Sequence, residues 1–427
     1  HTRALRHLNS MLRSVCRSVL PSIPRQCGGL PFAAAPLPWV SHRFASSPGM
    51  DFLLNPTPEH AMLRDNVAKF SKAEVAPQAR ETDITMHFNK PLFKRLGDLG
   101  LLGITIPAED GGAGMDATAA VIVHHELSRH DPGFCLAYLA HSMLFVNNFY
   151  WAASPEQRKV WLPRVLTGDV IAGMGMSEPG AGTDVLGMTT KAEKKGDKYV
   201  INGSKIWITN GTVGDVFLIY AKVEGKITSF IVERGMKGFT NGKEIDKLGM
   251  RGSQMCQLFF DNVEVPAFNL LGKEGKGVVH MMRNLEMERL TLAAMSCGIA
   301  DECVDRMLHY AKERKAFGQS INQFGQIQRY IAEGFAMTEA AKTLTYSVSR
   351  SVAPGVQNRV GSDAAKLFAA PVGKIVADYA IQVMGGMGYS RDVPVERLWR
   401  DAKLLEIGGG TLEAHHKNLV KDLTATL

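Results

Sequence analysis

The segment Leu285-Glu286-Met287-Glu288-Arg289-Leu290 carries two carboxylates in different company. On a helix, Glu288 has Leu285, Thr291, Leu292 and Met295 as its i−3, i+3, i+4 and i+7 neighbours, a mostly apolar stripe. Glu286 has Arg283 and Arg289 three residues to either side, which suits a solvated or paired acid. A helical glutamate is ordinarily a surface residue. One set into an apolar stripe is a candidate general base, because desolvation raises a carboxylate's pKa and strengthens its pull on a proton.

Three further segments have the composition of ligand-holding loops. Met176-Ser-Glu-Pro-Gly-Ala-Gly-Thr-Asp-Val185 offers hydroxyls and backbone N–H groups to a polar ligand, or is a plain turn. Trp207-Ile208-Thr209-Asn210-Gly211 places an indole two residues from a hydroxyl on one strand face. That pair can cover a planar ring and bond its edge, or be a half-buried strand tryptophan. Gln382-Val-Met-Gly-Gly-Met-Gly-Tyr389 ends a helical run with glycines that admit a pyrophosphate or cap the helix. Dinucleotide and P-loop signatures are missing. His125-Glu126 lacks the second histidine of a zinc-protease motif, and the adjacent His415-His416 point to different sides of a helix. No metal is expected.

The elements that must position these residues fall into three zones. Residues 52–172 read as helical, with a capping box expected at Ser154-Pro155-Glu156-Gln157 and breaks at Gly111-Gly112 and Asp131-Pro132-Gly133. Residues 173–270 read as β. Tyr199–Ile201 and Lys205–Thr209 are expected as strands joined by a tight Asn202-Gly203 turn, Val216–Val223 and Ile227–Glu233 as a hairpin, and Cys256–Val265 as a further strand. From 275 onward, helices are expected near 276–312, 322–350, 360–385 and 411–424, long enough for a bundle.

The whole chain, 427 residues with 45% hydrophobic and 21% charged, has globular composition. No uninterrupted apolar run of spanning length appears, so no membrane-spanning helix is expected. Nearly all of the net charge of +7 belongs to the first 50 residues, which hold six arginines and no Asp, Glu or Lys. The remainder is nearly neutral, which argues against a nucleic-acid-binding body. An Arg-rich, acid-free, Ser-dotted leader is the composition of a mitochondrial transit peptide, with Arg43-Phe44-Ala45-Ser46 suited to matrix processing and Met11 a possible start. The six scattered cysteines form no CxxC pair and fit a reducing interior.

Taken in order, the three loops resemble those of the acyl-CoA dehydrogenase family. Arg314-Lys-Ala-Phe-Gly318, Lys247-Leu-Gly-Met-Arg251 and Arg400-Asp-Ala-Lys403 match it as well, and the resemblance covers 52–427. It implies an α+β fold with an N-terminal helical domain (51–172), a central β-barrel-like domain (173–274) and a C-terminal four-helix bundle (275–427), assembled as a homotetramer. It also implies FAD as cofactor, an acyl-CoA thioester oxidised to the trans-2-enoyl-CoA, and electron transfer flavoprotein as acceptor.

Many members carry the base in a Tyr-Glu-Gly-Thr segment. Here the matching run is Ile407-Gly408-Gly409-Gly410-Thr411, with glycine where the base would stand. That leaves Glu288, an arrangement similar to the branch of the family that acts on isovaleryl-CoA and to long-chain members. Ala192-Glu-Lys-Lys-Gly196 and Asp246–Ser253 resemble that branch too. The implied reaction is isovaleryl-CoA to 3-methylcrotonyl-CoA in leucine catabolism, in the mitochondrial matrix. Another branched or longer acyl-CoA is the alternative, and an inactive acyl-CoA- or flavin-binding homologue a third.

The resemblance further implies roles by position. Met174, Met176, Ser177, Trp207, Ile208 and Thr209 would surround the flavin, and Thr183 would touch both cofactor and CoA arm. Arg314, Phe317, Gln382, Gly385 and Gly386 would hold the FAD diphosphate and adenosine, partly from a neighbouring subunit, with Thr411 and Glu413 also in contact. Glu286, Arg289, Gly409 and Gly410 would support substrate and base. Gly408 and Gly409 are expected to vacate volume for a branched acyl chain, while the Gly409 N–H bonds the thioester oxygen. Two departures from the family are Phe324-Gly325, where Phe-Gln is common, and the short Glu224-Gly225-Lys226 link.

Overall fold

The computed structural model describes residues 48–425, apart from 354, 355 and 357. Residues 1–47 of the expected leader, with Met11 and the processing motif, lie outside the described residues, as do Cys16 and Cys27.

Polar caps set the helix starts in the first zone. Among its helices are α1 (Ala117–Ser128), α2 (Pro132–Leu139) and α3 (Pro155–Leu166). The Asp131 carboxylate accepts from the Phe134 N–H at 3.0 Å, with proline next in line, and so opens α2. Ser154 and Gln157 form the expected capping box at α3. Beyond α2 the helix widens into π turns over Ala140–Asn147, a geometry often found near functional sites. Phe145 from this stretch and Phe149 just after it pack with Met174, Leu218, Met281 and Leu285 in one apolar cluster joining all three zones.

The second zone is one mixed sheet. Its strands are β1 (Ala172–Gly175), β2 (Lys191–Lys195), β3 (Lys198–Thr209), β4 (Val216–Val223), β5 (Lys226–Glu233), β6 (Phe239–Asn241), β7 (Met255–Pro266) and β8 (Leu270–Leu271). The order is β6-β7-β3-β2-β4-β5-β8, and β1 also pairs with β4, in parallel. The Asn202-Gly203 turn does not form; β3 runs through it. The pairing with β7 instead slips between Ile201 and Gly203, a β-bulge. Gly203 has φ +147°, and a Cβ there would stand 2.5 Å from Thr190 Oγ1. The actual hairpin joins β2 to β3 through Gly196. Lysine-rich β2 buries only Ala192, so it lacks the alternation that marks a strand.

The third zone contains α4 (Gly277–Glu313), a hairpin of β9 (Lys315–Ala316) and β10 (Gln319–Ser320), α5 (Gly325–Ser349), α6 (Arg359–Met384), α7 (Val395–Leu405) and α8 (Leu412–Thr424). By length and hydropathy, α6 alone among the described helices is suited to cross a membrane. Half of its apolar window is buried in this fold, as in a bundle's core helix.

Two joints fix α4 relative to the rest. Arg64 bonds Glu126 and Tyr346 at 2.7 Å each, and His125 bonds Tyr346 and Asp301 at 2.8 Å each, tying α1 to α4 and α5. The Lys247–Arg251 and Arg400–Lys403 motifs meet at the second joint. Asp401 accepts from the Met250 N–H, and Arg400 makes a fork to Asp83 at 2.8 and 2.7 Å. A Cβ at Gly249 would lie 2.4 Å from the Arg400 carbonyl, so only glycine permits this approach.

Candidate active site

The Glu288 side chain lies on the inner face of α4 and is only 8% exposed. Its Oε2 is buried without a hydrogen-bond partner. Burial pushes the carboxyl up to about 7, although the Arg289 and Lys366 charges pull against the rise. The carboxyl faces the turn before α8: a Cβ on Gly409 would stand 3.5 Å from Glu288 Cδ and Oε1 and 2.5 Å from Leu292 Cδ1. The volume left by glycine at 409 is therefore taken by the Leu292 side chain, with the Glu288 carboxyl at van der Waals distance. This corrects the expectation that it is vacated for a branched acyl chain: Leu292 takes the space, and the Glu288 carboxyl lies beside it.

The turn has φ +67° at Gly409 and +106° at Gly410, conformations that favour glycine. Its carbonyls are tied down from three sides. Arg289 Nε donates to the Gly409 oxygen at 3.4 Å, and Lys366 Nζ and His415 Nε2 reach the Gly410 oxygen, the latter at 3.1 Å. Asp363 is the shared counter-ion, 2.6 Å from Arg289 Nη1 and 3.0 Å from His415 Nδ1. Lys366 is fully buried, and that burial draws it down to about 8 against the pull of Glu288. Among the described residues, the N–H groups of Gly409 and Gly410 have no partner within the chain. Desolvated carboxylate, nearby cations and free N–H donors together can take a proton beside a carbonyl and stabilise the charge that develops.

Several residues here gave no signal in the sequence. Asn284, one turn before Glu288 on the same face of α4, is 2% exposed with neither amide atom partnered. Asn148 donates to the Tyr220 hydroxyl at 2.9 Å, and its Oδ1 is unpartnered. Asp363, Lys366 and His415 belong to the site by tertiary contact alone. The i−4 spacing from Glu288 is the one pattern that could have singled out Asn284.

Not every expected site residue is placed as expected. Glu286, two residues from Glu288 and so about 200° around the helix, accepts from the Asn358 N–H. Its expected flanking partner Arg283 lies instead over the Trp151 ring, 5.8 Å from its centre. Trp207 and Thr209 do share an outward face, but the strand is irregular between Lys205 and Ile208. Trp207 has φ +62° and is 56% exposed. The Ile208 side chain points into the β core, leaving only its backbone for a ligand. Ser177 is half-buried and accepts from the Ile206 N–H, while its neighbour Glu178 is a structural residue paired to Lys205 at 2.8 Å. Met174 lies in the apolar cluster, Met176 packs against it, and Thr183 is exposed.

Arg314, Gly385 and Gly386 line a cleft of about 540 Å³ with Tyr310, Ile321, Val383, Met384 and Met387. Gln382, one residue before this lining, is exposed. Phe317 is 95% exposed at the tip of the β9–β10 hairpin. There φ +50° at Phe317 and +81° at Gly318 make the paired left-handed turn that suits a two-residue loop. Thr411 caps α8 by accepting from the Ala414 N–H, and Glu413 is exposed in its first turn.

Models of the acyl-CoA dehydrogenase N-terminal, middle and C-terminal domains match residues 57–169, 173–263 and 275–424 in succession. A mitochondrial isovaleryl-CoA dehydrogenase of Pongo abelii is 41% identical over 388 residues, 88% of this chain and 92% of that protein. A mitochondrial 2-methylacyl-CoA dehydrogenase of Solanum tuberosum is 38% identical, covering 84% of this chain and 89% of its own. The solved butyryl-CoA dehydrogenase of Megasphaera elsdenii superposes with a TM-score of 0.84 at 34% identity, covering 86% and 98%. The chain belongs to the acyl-CoA dehydrogenase family. It is an oxidoreductase and a flavoprotein whose cofactor is FAD.

The residues present fit that cofactor. Nothing lies within 4 Å of where a Cβ on Gly385 or Gly386 would stand, so the cleft beside Arg314 is open to a phosphate. The large exposed faces of Trp207 and Phe317 suit planar rings, which would cover apolar surface otherwise left to water.

Proposed function

We propose that this protein dehydrogenates a short branched acyl-CoA, isovaleryl-CoA foremost, giving 3-methylcrotonyl-CoA in leucine catabolism. The observation that carries the reading is Glu288: a buried, unpartnered carboxylate against a glycine turn with free N–H groups. Glu288 Oε2 takes the α-proton of the thioester. The Gly409 N–H bonds the thioester oxygen and, with Lys366 and Arg289 close by, stabilises the enolate-like charge. FAD, when bound, supplies the acceptor for the β-hydrogen. Ser177, Trp207 and Thr209 would hold the ring; Arg314, Gln382, Gly385 and Gly386 would hold the diphosphate and adenosine, in part for a neighbouring copy. Arg289 supports the base through Gly409.

The isovaleryl preference is supported by the Pongo abelii relative, and a 2-methyl-branched acyl-CoA is the second reading because of the Solanum tuberosum relative. Turnover of isovaleryl-, 2-methylbutyryl-, butyryl- and palmitoyl-CoA by the purified protein decides between them. A preference for palmitoyl-CoA overturns the substrate reading, and no turnover favours an inactive homologue. Electrons leave for electron transfer flavoprotein, checked by its reduction in the same assay. The Arg-rich, acid-free leader and the mitochondrial relatives support a matrix location, which uptake by isolated mitochondria tests. Exposed Phe317 and Tyr389 support a homotetramer, which light scattering tests.

A further inference from the structure

His415 is fully buried, yet both its ring nitrogens face oxygen acceptors: the Gly410 carbonyl at 3.1 Å and Asp363 Oδ1 at 3.0 Å. A carbonyl can only accept, so Nε2 carries a hydrogen. On the other side Nδ1 stands against the Asp363 carboxylate, so the ring is held at both edges. The same Asp363 oxygen takes Arg289, which donates to the Gly409 carbonyl, and Lys366 shares the Gly410 carbonyl with His415. Three side chains from three helices thus converge on the two carbonyls of one glycine turn. Gly409 and Gly410 both have positive φ and carry no side chain to anchor them. A two-glycine segment has more backbone freedom to lose than any other, so its geometry must come from these outside contacts.

We propose that His415 and Asp363 are positioning residues for the proton abstraction. They hold the Gly409–Gly410 turn so that its free N–H groups stay aimed at the thioester oxygen beside Glu288. This rests on the dehydrogenase reading above. Neither residue touches substrate; each acts through the turn. Loss of the clamp leaves ground-state binding of the CoA arm intact and misaligns donors needed most as charge develops. The cost therefore falls on kcat and not on KM.

The test compares unaltered holoenzyme with H415A, H415Q and D363N, using isovaleryl-CoA. H415A is expected to lower kcat about 10–100-fold, the range a misplaced reacting geometry produces, with KM changed less than about two-fold. H415Q is expected to recover part of the loss, since its amide can still donate to Gly410 but lacks the second ring nitrogen that meets Asp363. D363N, which keeps the histidine, is expected to lower kcat in the same sense and serves if H415A fails to fold. Hydrogen exchange should show faster amide exchange over residues 407–411 in H415A without a matching change in α4. A rise in KM at unchanged kcat, equal losses in H415A and H415Q, or undisturbed exchange in the turn overturns the proposal. Failure of the unaltered enzyme to turn over any acyl-CoA overturns the functional reading, and this proposal with it.

Discussion

Replacing Glu288 with glutamine should make the protein inactive and, above neutral pH, more stable. The folded carboxyl lies at about 7 against an ordinary 4.5. That rise corresponds to ~3 kcal/mol of penalty on the charged form, an upper figure for a group that relaxation can partly rescue. A carboxyl raised in this way contributes stability that is fully present below its unfolded value. It is lost as pH climbs through the folded one, because the native state holds the proton more tightly. Glutamine cannot ionise, so it escapes the loss. Thermal midpoints of FAD-saturated unaltered and E288Q protein should nearly coincide at about pH 4.5 and separate at about pH 8.5, the variant melting a few degrees higher. Over the same range kcat should fall by about 10²–10⁴ in the variant. A midpoint gap that does not change with pH, or an unaltered enzyme that is the more stable at high pH, refutes the buried-base reasoning.

Three other variants probe separate parts of the structure. G409A should lower kcat for isovaleryl- and butyryl-CoA alike, about tenfold, because its Cβ at positive φ would crowd Leu292, which packs beside the Glu288 carboxyl; selective loss of branched substrates would show that the glycine serves the acyl chain. K366M should move the acid limb of the kcat–pH profile to higher pH, since the lysine charge holds Glu288 down; an unmoved limb separates the two groups. G249A should destabilise the protein by about 1–3 kcal/mol, because the new Cβ meets Arg400 backbone and not a flexible side-chain end. Denaturant midpoints measure it, and no change would mean the joint can open.

The zones and the burial of Glu288 were legible for physical reasons. Helix periodicity, the Ser154 capping box, the break at Asp131-Pro132-Gly133 and the Val216–Glu233 hairpin are local signals, and the structure forms them. A carboxylate on an apolar helical stripe is local too, and Glu288 is buried. What stayed hidden depends on tertiary contact. Asn202-Gly203 has the same composition as a turn and as a bulge, and only the partner strand β7 decides between them. The Asp363, Lys366 and His415 side chains come together across helices far apart in sequence. Volume left by Gly409 reads as empty until Leu292 is seen to take it, beside the Glu288 carboxyl.

The most direct measurement is exchange of the α-hydrogens of isovaleryl-CoA with deuterated water, followed by mass spectrometry in the holoenzyme without an electron acceptor. The unaltered enzyme should exchange them at a rate that rises with pH through about 7, as Glu288 ionises, and E288Q should exchange them at least 100-fold more slowly. Exchange in E288Q at the unaltered rate would contradict the assignment of Glu288 as the base.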